Sequence, residues 1–398
     1  MFNRLGFNYS NDLKKLNKQE FSKTLVINAC SVGENNAIFP LIEKLRSNFP
    51  ELRIIHTVTT VTGYELALKN SKAHLVTWYP IENIISNNHF INTFSPDYFI
   101  AVETEIWPLM SKNLKFNNIP IFLINGRISD RSYPGYKILK FIFSDALKCV
   151  ELFLMQSELD TSRIIEIGAE PSKVLCVGNL KFDVLEEVMK NSNSIDFGFD
   201  EDDLVFTFGS MHPGEEKVIS GLMYSILEIE PECKFIIAPR KLHLVKSLYD
   251  HLDEESFKYV KRSEYLLSEK TKINSNILIL DTMGELISAY RISCAAFIGG
   301  TIVETGGHNP LEVAACGKPC FFGPHMFNFR EIEKIILKHK IGVRFESGGH
   351  AVKDLKNYLF DAELMEKMGK NSREIIKNRT GVTEKTIHII NNHIKLNK

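Results

Sequence analysis

The chain has 398 residues, too many for one ordinary hydrophobic core, so two domains are expected. Its 44% hydrophobic and 24% charged content is that of a globular protein, and a formal net charge of -1 gives no support for bulk nucleic-acid binding, which needs a basic stripe. Seven cysteines without a C-x-x-C pair argue for reduced thiols in a cytosolic setting, against a zinc ribbon or a disulfide framework.

In chain order, the N-terminal segment MFNRLGFNYSNDLKKLNKQEFSK is polar and lacks the apolar centre of a signal peptide. No stretch of about 18 apolar residues follows it. Residues 24–29 form a β-rich run, followed by a helical pattern with apolar Ile38, Leu41, Ile42 and Leu45. A strand is expected over 53–59, a helix from Gly63, and strands over 98–102 and 119–124. The rhythm repeats at 204–208, 234–238, 277–280, 295–298 and 320–322. Amphipathic helices then read over 328–338, 351–360 and 374–395, the last with a possible break at Gly381. Continuous apolar strands separated by helices imply parallel sheets covered on both faces. The fold class is α/β, with two Rossmann-like domains facing each other across a cleft. The boundary falls between 181 and 203, where KNSNSIDFGFDEDD is polar and turn-rich. This gives an N-terminal domain over 1–182, a linker over 183–203 and a C-terminal domain over 204–375. A last helix over 376–398 is expected to return to the first domain, by analogy of fold alone.

The most informative block is TMGELISAYRISCAAFIGGTIVETGGHNPLEVAACGKPCFFGPHMFNF. An apolar run ends in Gly299-Gly300, a second pair follows at Gly306-Gly307, and Asn309-Pro310-Leu311-Glu312 opens a helical stretch. Glycines at a strand end admit a ligand close to the backbone, and a helix N-terminus favours anions. Glu304 and Glu312 flank the turn and are expected to face one crevice, which suits the hydroxyls of a sugar nucleotide. No G-x-G-x-x-G, G-x-x-x-x-G-K-[ST], H-E-x-x-H or G-x-S-x-G is present, which argues against dinucleotide, P-loop, zincin and serine-hydrolase chemistry. His212, His308 and His325 lie near glycine turns, but their spacing describes no metal site.

In the first half, Cys30-Ser31-Val32-Gly33-Glu34 leaves a strand and enters a helix, where open α/β sheets bind ligands. Ser31 can cap that helix, and Glu34 either offsets its macrodipole or faces the crevice. Glu103 and Glu105 follow another strand, one a helix acid and the other a crevice acid. Asn125-Gly126-Arg127 with Arg131 offers cations for an anionic acceptor, or a solvated loop.

These segments, taken in order, resemble the 3-deoxy-D-manno-octulosonic acid (Kdo) transferases of lipopolysaccharide synthesis, inverting enzymes of the glycosyltransferase B fold. The matching runs are Ser31-Val32-Gly33-Glu34, Glu103-Thr104-Glu105-Ile106-Trp107-Pro108, Asn125-Gly126-Arg127-Ile128-Ser129 and Gln156-Ser157-Glu158. Further on come Gly178-Asn179-Leu180-Lys181-Phe182-Asp183, Gly209-Ser210 with His212 and Gly214-Glu215-Glu216, Pro239-Arg240, Met283-Gly284-Glu285, the Glu304 to Glu312 block, and Gly323-Pro324-His325. The resemblance implies transfer of Kdo from CMP-Kdo to the 6′-hydroxyl of a lipid A precursor at the cytoplasmic face of the bacterial inner membrane. It makes Glu34 the general base, expected to stay ionised at its helix N-terminus, with Glu103 or Glu105 assisting. Ser31, Gly33, Arg127 and Arg131 would meet the acceptor. Ser210, Arg240, Met283, Gly284, Glu285, Glu304, Asn309 and Glu312 would hold the donor. No cofactor and no metal are implied.

Three departures stand out. The family usually has His where this chain has Asn28, and its Arg-His-Pro-Glu run is here Arg240-Lys241-Leu242-His243. The apolar N-terminal anchor of many members has no counterpart, which leaves truncation or peripheral membrane association. Residues 133–143 read either as part of a membrane-facing surface or as a core helix. A different nucleotide-sugar transferase or epimerase of the same fold, or a non-catalytic lipid-binding relative, are the rival readings.

Overall fold

The structure is a computed structural model that describes Tyr9, Asp12 and residues 21–191, 195–268 and 272–394. The polar N-terminal segment and the far end of the last helix lie almost wholly outside the described residues. The chain divides into two compact units, residues 1–184 with 379–398, and residues 185–378.

The first unit holds a seven-stranded sheet in the order β3-β2-β1-β4-β5-β6-β7. Its strands are β1 (Lys23–Asn28), β2 (Leu52–Val58), β3 (Leu75–Trp78), β4 (Tyr98–Val102), β5 (Ile121–Gly126), β6 (Val150–Met155) and β7 (Val174–Cys176). Every pairing is parallel. The inner strands are buried along almost their whole length, as both-face coverage demands. One face is covered by helix Val32–Asn48, whose Ala37, Ile38, Leu41, Ile42 and Leu45 repeat at helical spacing and are buried. Val382, Ile387 and Ile390 of helix Val382–Ile394 join the same core.

The second unit repeats the plan in the order β10-β11-β9-β8-β12-β13-β14, again parallel. Its strands are β8 (Val205–Met211), β9 (Lys234–Pro239), β10 (Val260–Lys261), β11 (Ile277–Ile279), β12 (Ala295–Ile298), β13 (Cys320–Phe322) and β14 (Gly342–Arg344). In each sheet the chain returns past the first strand of its unit to build the other side, at β1/β4 and at β8/β12. Loops leaving those neighbours part from one another and open a crevice at the strand carboxyl ends.

The expected strands are present, and five more were not anticipated. β3, β7, β10 and β14 lie at the sheet edges, only partly buried and without the continuous apolar run of inner strands. In β6 the exposed Glu151 breaks the apolar run. The polar segment expected as a linker from 183 carries helix Lys181–Asn191. Helix Ala362–Lys377 begins well before the expected 374. Residues 133–143 form no core helix: they belong to helices Tyr133–Ile138 and Lys140–Leu147, with Ile138 77% and Phe141 71% exposed. Among the described residues no helix is long and apolar enough to cross a membrane.

Asp183 ties the last helix to the first unit, its carboxylate accepting the backbone N–H groups of Gly381 (2.7 Å) and Thr383. These donors lie at a helix start, where intrahelical partners are missing. Asp183→Ala should lower stability by about 1–2 kcal/mol, measured by chemical denaturation of the whole chain.

Candidate active site

The first site is built at the carboxyl end of β1. Ser31 leaves the strand extended and caps the following helix, its hydroxyl oxygen accepting Glu34 N–H at 3.3 Å. Glu34 reaches back: Oε1 accepts from the Ser31 hydroxyl and Oε2 from Cys30 N–H, both at 2.7 Å. The helix-cap and crevice readings of Glu34 therefore describe one residue, held in place by the cap and still 9% exposed. Burial pushes its carboxyl up to about 7, assisted by the negative charges of Glu105 and Glu103 and opposed by the bonds from Ser31 and Cys30. The expectation that a helix N-terminus keeps Glu34 ionised at neutral pH is thus corrected, because desolvation outweighs the favourable hydrogen bonds.

The two glutamates after β4 take different places. Glu105 Oε2 collects three donors: Trp107 Nε1 at 2.7 Å, the Cys30 thiol, and the Asn28 amide at 3.5 Å. Glu103 sits in the left-handed region (φ 56°) and pairs with Lys181 Nζ at 3.2 Å. Asn125 is also left-handed (φ 51°), and its Oδ1 accepts Leu180 N–H at 3.0 Å, steadying the segment that carries Lys181. Non-glycine residues in this region cost of order 1 kcal/mol or more and gather at functional sites. Asn28, which departs from the family pattern, is buried and accepts the Thr57 hydroxyl at 3.0 Å, so it serves as an internal brace. Arg127 is half-buried, its Nε without a hydrogen-bond partner among the described residues, and Arg131 is exposed. No hydrogen bond among the described residues joins either arginine to Glu34, Glu103 or Glu105. Gly33 is exposed on the first helical turn.

Cys30 Sγ and carboxylate oxygens of Glu34 and Glu105 lie within 4.8 Å of one another, a set able to hold a metal ion. Burial, then the charge and hydrogen bond of Glu105, drive the Cys30 thiol far above its ordinary value. Without a metal the thiol donates a hydrogen bond to Glu105, and a bound metal ion would displace that proton.

The second site lies at the carboxyl ends of β8, β9 and β12. Its organiser is Glu215, fully buried. Oε2 accepts N–H from His212 (2.9 Å) and Gly300 (2.8 Å), and Oε1 from Thr301 (3.2 Å) and Ile302 (3.1 Å). One carboxylate thus clamps the β8 loop to the β12 loop. Gly306 needs its hydrogen: φ is 93°, and a Cβ would stand 2.3 Å from Asn328 Nδ2. Ser210 is left-handed (φ 58°). Arg240 is exposed at the end of β9, its N–H held by Met211 O at 2.9 Å. Glu312 is pushed up to about 7 by burial, against the pull of the Arg240 charge. Asn309 Oδ1 accepts Leu311 N–H at 3.2 Å, in the turn that leads into the five-residue helix Leu311–Ala315.

The acidic residues expected near the donor sit in different surroundings. The Glu285 carboxylate is gripped by Arg262 through Nε (3.1 Å) and an Nη (2.9 Å), and it accepts the Thr282 hydroxyl. Only the backbone of the exposed Met283-Gly284 turn is open to a ligand. Glu304 is exposed, and Glu312 is half-buried in the first turn of its helix. Lys181, Glu215, His212 and His308 were not assigned roles from sequence, although each lies in or beside a run already singled out.

The family model described as 3-Deoxy-D-manno-octulosonic-acid transferase (kdotransferase) matches residues 1–184. A 3-deoxy-D-manno-octulosonic acid transferase of Rickettsia bellii is 30% identical over 356 residues, covering 88% of this chain and 80% of the relative. The chain belongs to the Kdo transferase family. A bifunctional glycosyltransferase/methyltransferase of Fusobacterium nucleatum is 35% identical over 87% of this chain, which spans 54% of that relative's length. Among solved structures, the UDP-GlcNAc 2-epimerase of Neisseria meningitidis matches 89% of this chain and 99% of its own, with a TM-score of 0.58 at 14% identity. That likeness concerns the fold alone, which is of the glycosyltransferase B class.

The raised Glu34 carboxyl makes a stability prediction. Its folded value, about 7, exceeds the ordinary 4.5. Its contribution is therefore fully present below the ordinary value and is lost as pH rises towards the folded value. Glu34→Gln, which has no charge to bury, should gain on the wild type by about 3 kcal/mol between acidic and alkaline pH. Denaturation midpoints of both proteins compared at pH 5 and pH 8 check this.

Proposed function

We propose that this protein transfers Kdo from CMP-Kdo to the 6′-hydroxyl of a lipid A precursor, inverting the anomeric carbon and releasing CMP. The observation that carries the reading is Glu34. It is a nearly buried carboxyl at the switch point of the first sheet, held by Ser31 and Cys30 N–H, with a value near neutrality. A general base works best when its value lies near the operating pH. Glu34 takes the proton of the acceptor hydroxyl as CMP leaves from the opposite face. Glu105, fixed by three donors, and the Glu103–Lys181 pair position the reacting groups, while Ser31, Gly33, Arg127 and Arg131 meet the acceptor.

In the second unit, Arg240 takes the nucleotide phosphate, with Ser210 and the backbone of Met283 and Gly284 adding donors. Glu312 and Asn309 address ribose or sugar hydroxyls. Charge developing on the leaving phosphate is met by a guanidinium and backbone amides, so the mechanism requires no metal. The exposed Ile138 and Phe141, beside Lys137 and Lys140, support peripheral attachment to an anionic membrane surface, at the cytoplasmic face of the inner membrane.

CMP release from CMP-Kdo with a tetraacylated lipid A precursor tests the reading. Release should depend on acceptor and fall about a hundredfold or more in Glu34→Gln. The wild-type kcat/KM should rise with pH up to about 7 and level off above it, because the base acts only when deprotonated. Unchanged release by Glu34→Gln would move the base elsewhere.

Treatment with EDTA should leave the rate unaltered. A loss restored by a divalent cation would instead assign Cys30, Glu34 and Glu105 to a metal.

A further inference from the structure

Two histidines unused by the proposed reaction meet at the switch point of the second sheet. His212 follows β8, and His308 closes the glycine loop after β12. Their Nε2 atoms lie 2.8 Å apart, with the rings stacked at 5.1 Å between centroids. Nitrogens at that distance share a proton, one donating and the other accepting. The neutral pair therefore carries one Nδ1–H and one bare Nδ1. Neither Nδ1 has a hydrogen-bond partner among the described residues.

The pair is set in a rigid frame. Glu215 holds the backbone of both His212 and Gly300. Gly300 gives the imidazole its room, since a Cβ there would lie 3.1 Å from His212 Cδ2 and 3.3 Å from its Nε2. Arg240 ends β9 beside the end of β8 that carries His212, its backbone N–H bonded to Met211 O, and its charge acts on both rings, with Lys241 and the Glu215 carboxylate also acting on His212. Glu312 is close enough to Arg240 to feel its charge. Burial holds both imidazoles below the ordinary histidine value, His308 at about 4; the positive charge of Arg240 lowers His308 further, while on His212 the Glu215 charge opposes burial and Lys241 and Arg240 add to it. An anion beside Arg240 cancels that charge and offers acceptor oxygens to ring N–H groups.

We propose that the His212–His308 pair takes up one proton from solvent when an anionic group of the donor, its phosphate or its sugar carboxylate, binds beside Arg240. The pair then presents two Nδ1–H donors to that anion. The inference rests on the reading of CMP-Kdo as donor. It adds a proton to the binding step and makes two residues outside the acceptor chemistry determinants of donor affinity.

The test follows the ring resonances of carbon-13-labelled histidine by NMR over the range from about pH 3.5 to about pH 8, which brackets the lowered midpoint of the free pair, in the whole chain alone, with CMP and with free Kdo. His308→Gln assigns the signals, and calorimetry measures binding of each ligand in parallel. The midpoint of the pair should rise by about one pH unit or more on binding, equivalent to roughly tenfold tighter binding at the acid end than in His308→Gln. The titration of CMP itself is common to both proteins and cancels in that comparison. A rise with CMP assigns the phosphate, and a rise with Kdo assigns the carboxylate. Either ligand bound with unmoved midpoints overturns the inference and leaves the donor reading standing. Binding of neither ligand overturns both.

Discussion

In a parallel sheet all the loops that follow strands leave from one edge, and the rest of this molecule depends on that constraint. Where the strand order reverses, at β1/β4 and at β8/β12, adjacent loops must diverge, because their helices go to opposite faces. Each of the two sheets thus acquires one place where side chains can converge on a ligand without displacing the core. Glu34, Glu103 and Glu105 gather at the first, and His212, Glu215 and His308 at the second.

The chain uses buried carboxylates in two opposite ways. Glu215 accepts four backbone N–H groups, so its lone pairs are consumed in holding two loops together. Glu34 accepts only two donors, from its own helix cap, and remains in contact with the outside. The contrast follows from the number of donors each position supplies. Four amides make a carboxylate a structural clamp, and two leave it able to take a proton. Glu285 belongs with the clamps, because the Arg262 fork occupies it.

The cluster around Glu105 shows how a departure from a family pattern is absorbed. Asn28, at the position where the resemblance leads one to expect a histidine, reaches Glu105 and also receives Thr57 from the neighbouring strand. Cys30 adds a thiol proton to the same carboxylate. The geometry also separates Glu103 from Glu105, between which sequence could not choose: a left-handed backbone and Lys181 claim the first, and Asn28, Cys30 and Trp107 claim the second.

Local sequence was enough for whatever depends on neighbours a few residues apart. The long inner strands, the Ser31 cap with Glu34, the glycine turns and the tandem α/β plan were all legible, because burial on both faces and helix capping leave a short-range imprint. The edge strands β3, β7, β10 and β14 left none, since at the sheet edges they are only partly buried and lack the continuous apolar run of inner strands of similar length. Only the tertiary structure decided which charges meet. It joined Lys181 to Glu103, Arg262 to Glu285 and His212 to His308, pairs separated by 78, 23 and 96 residues. It also decided that Glu34 and Glu312 are held near neutrality, because desolvation is set by everything packed around a carboxyl, and no stretch of sequence records that sum.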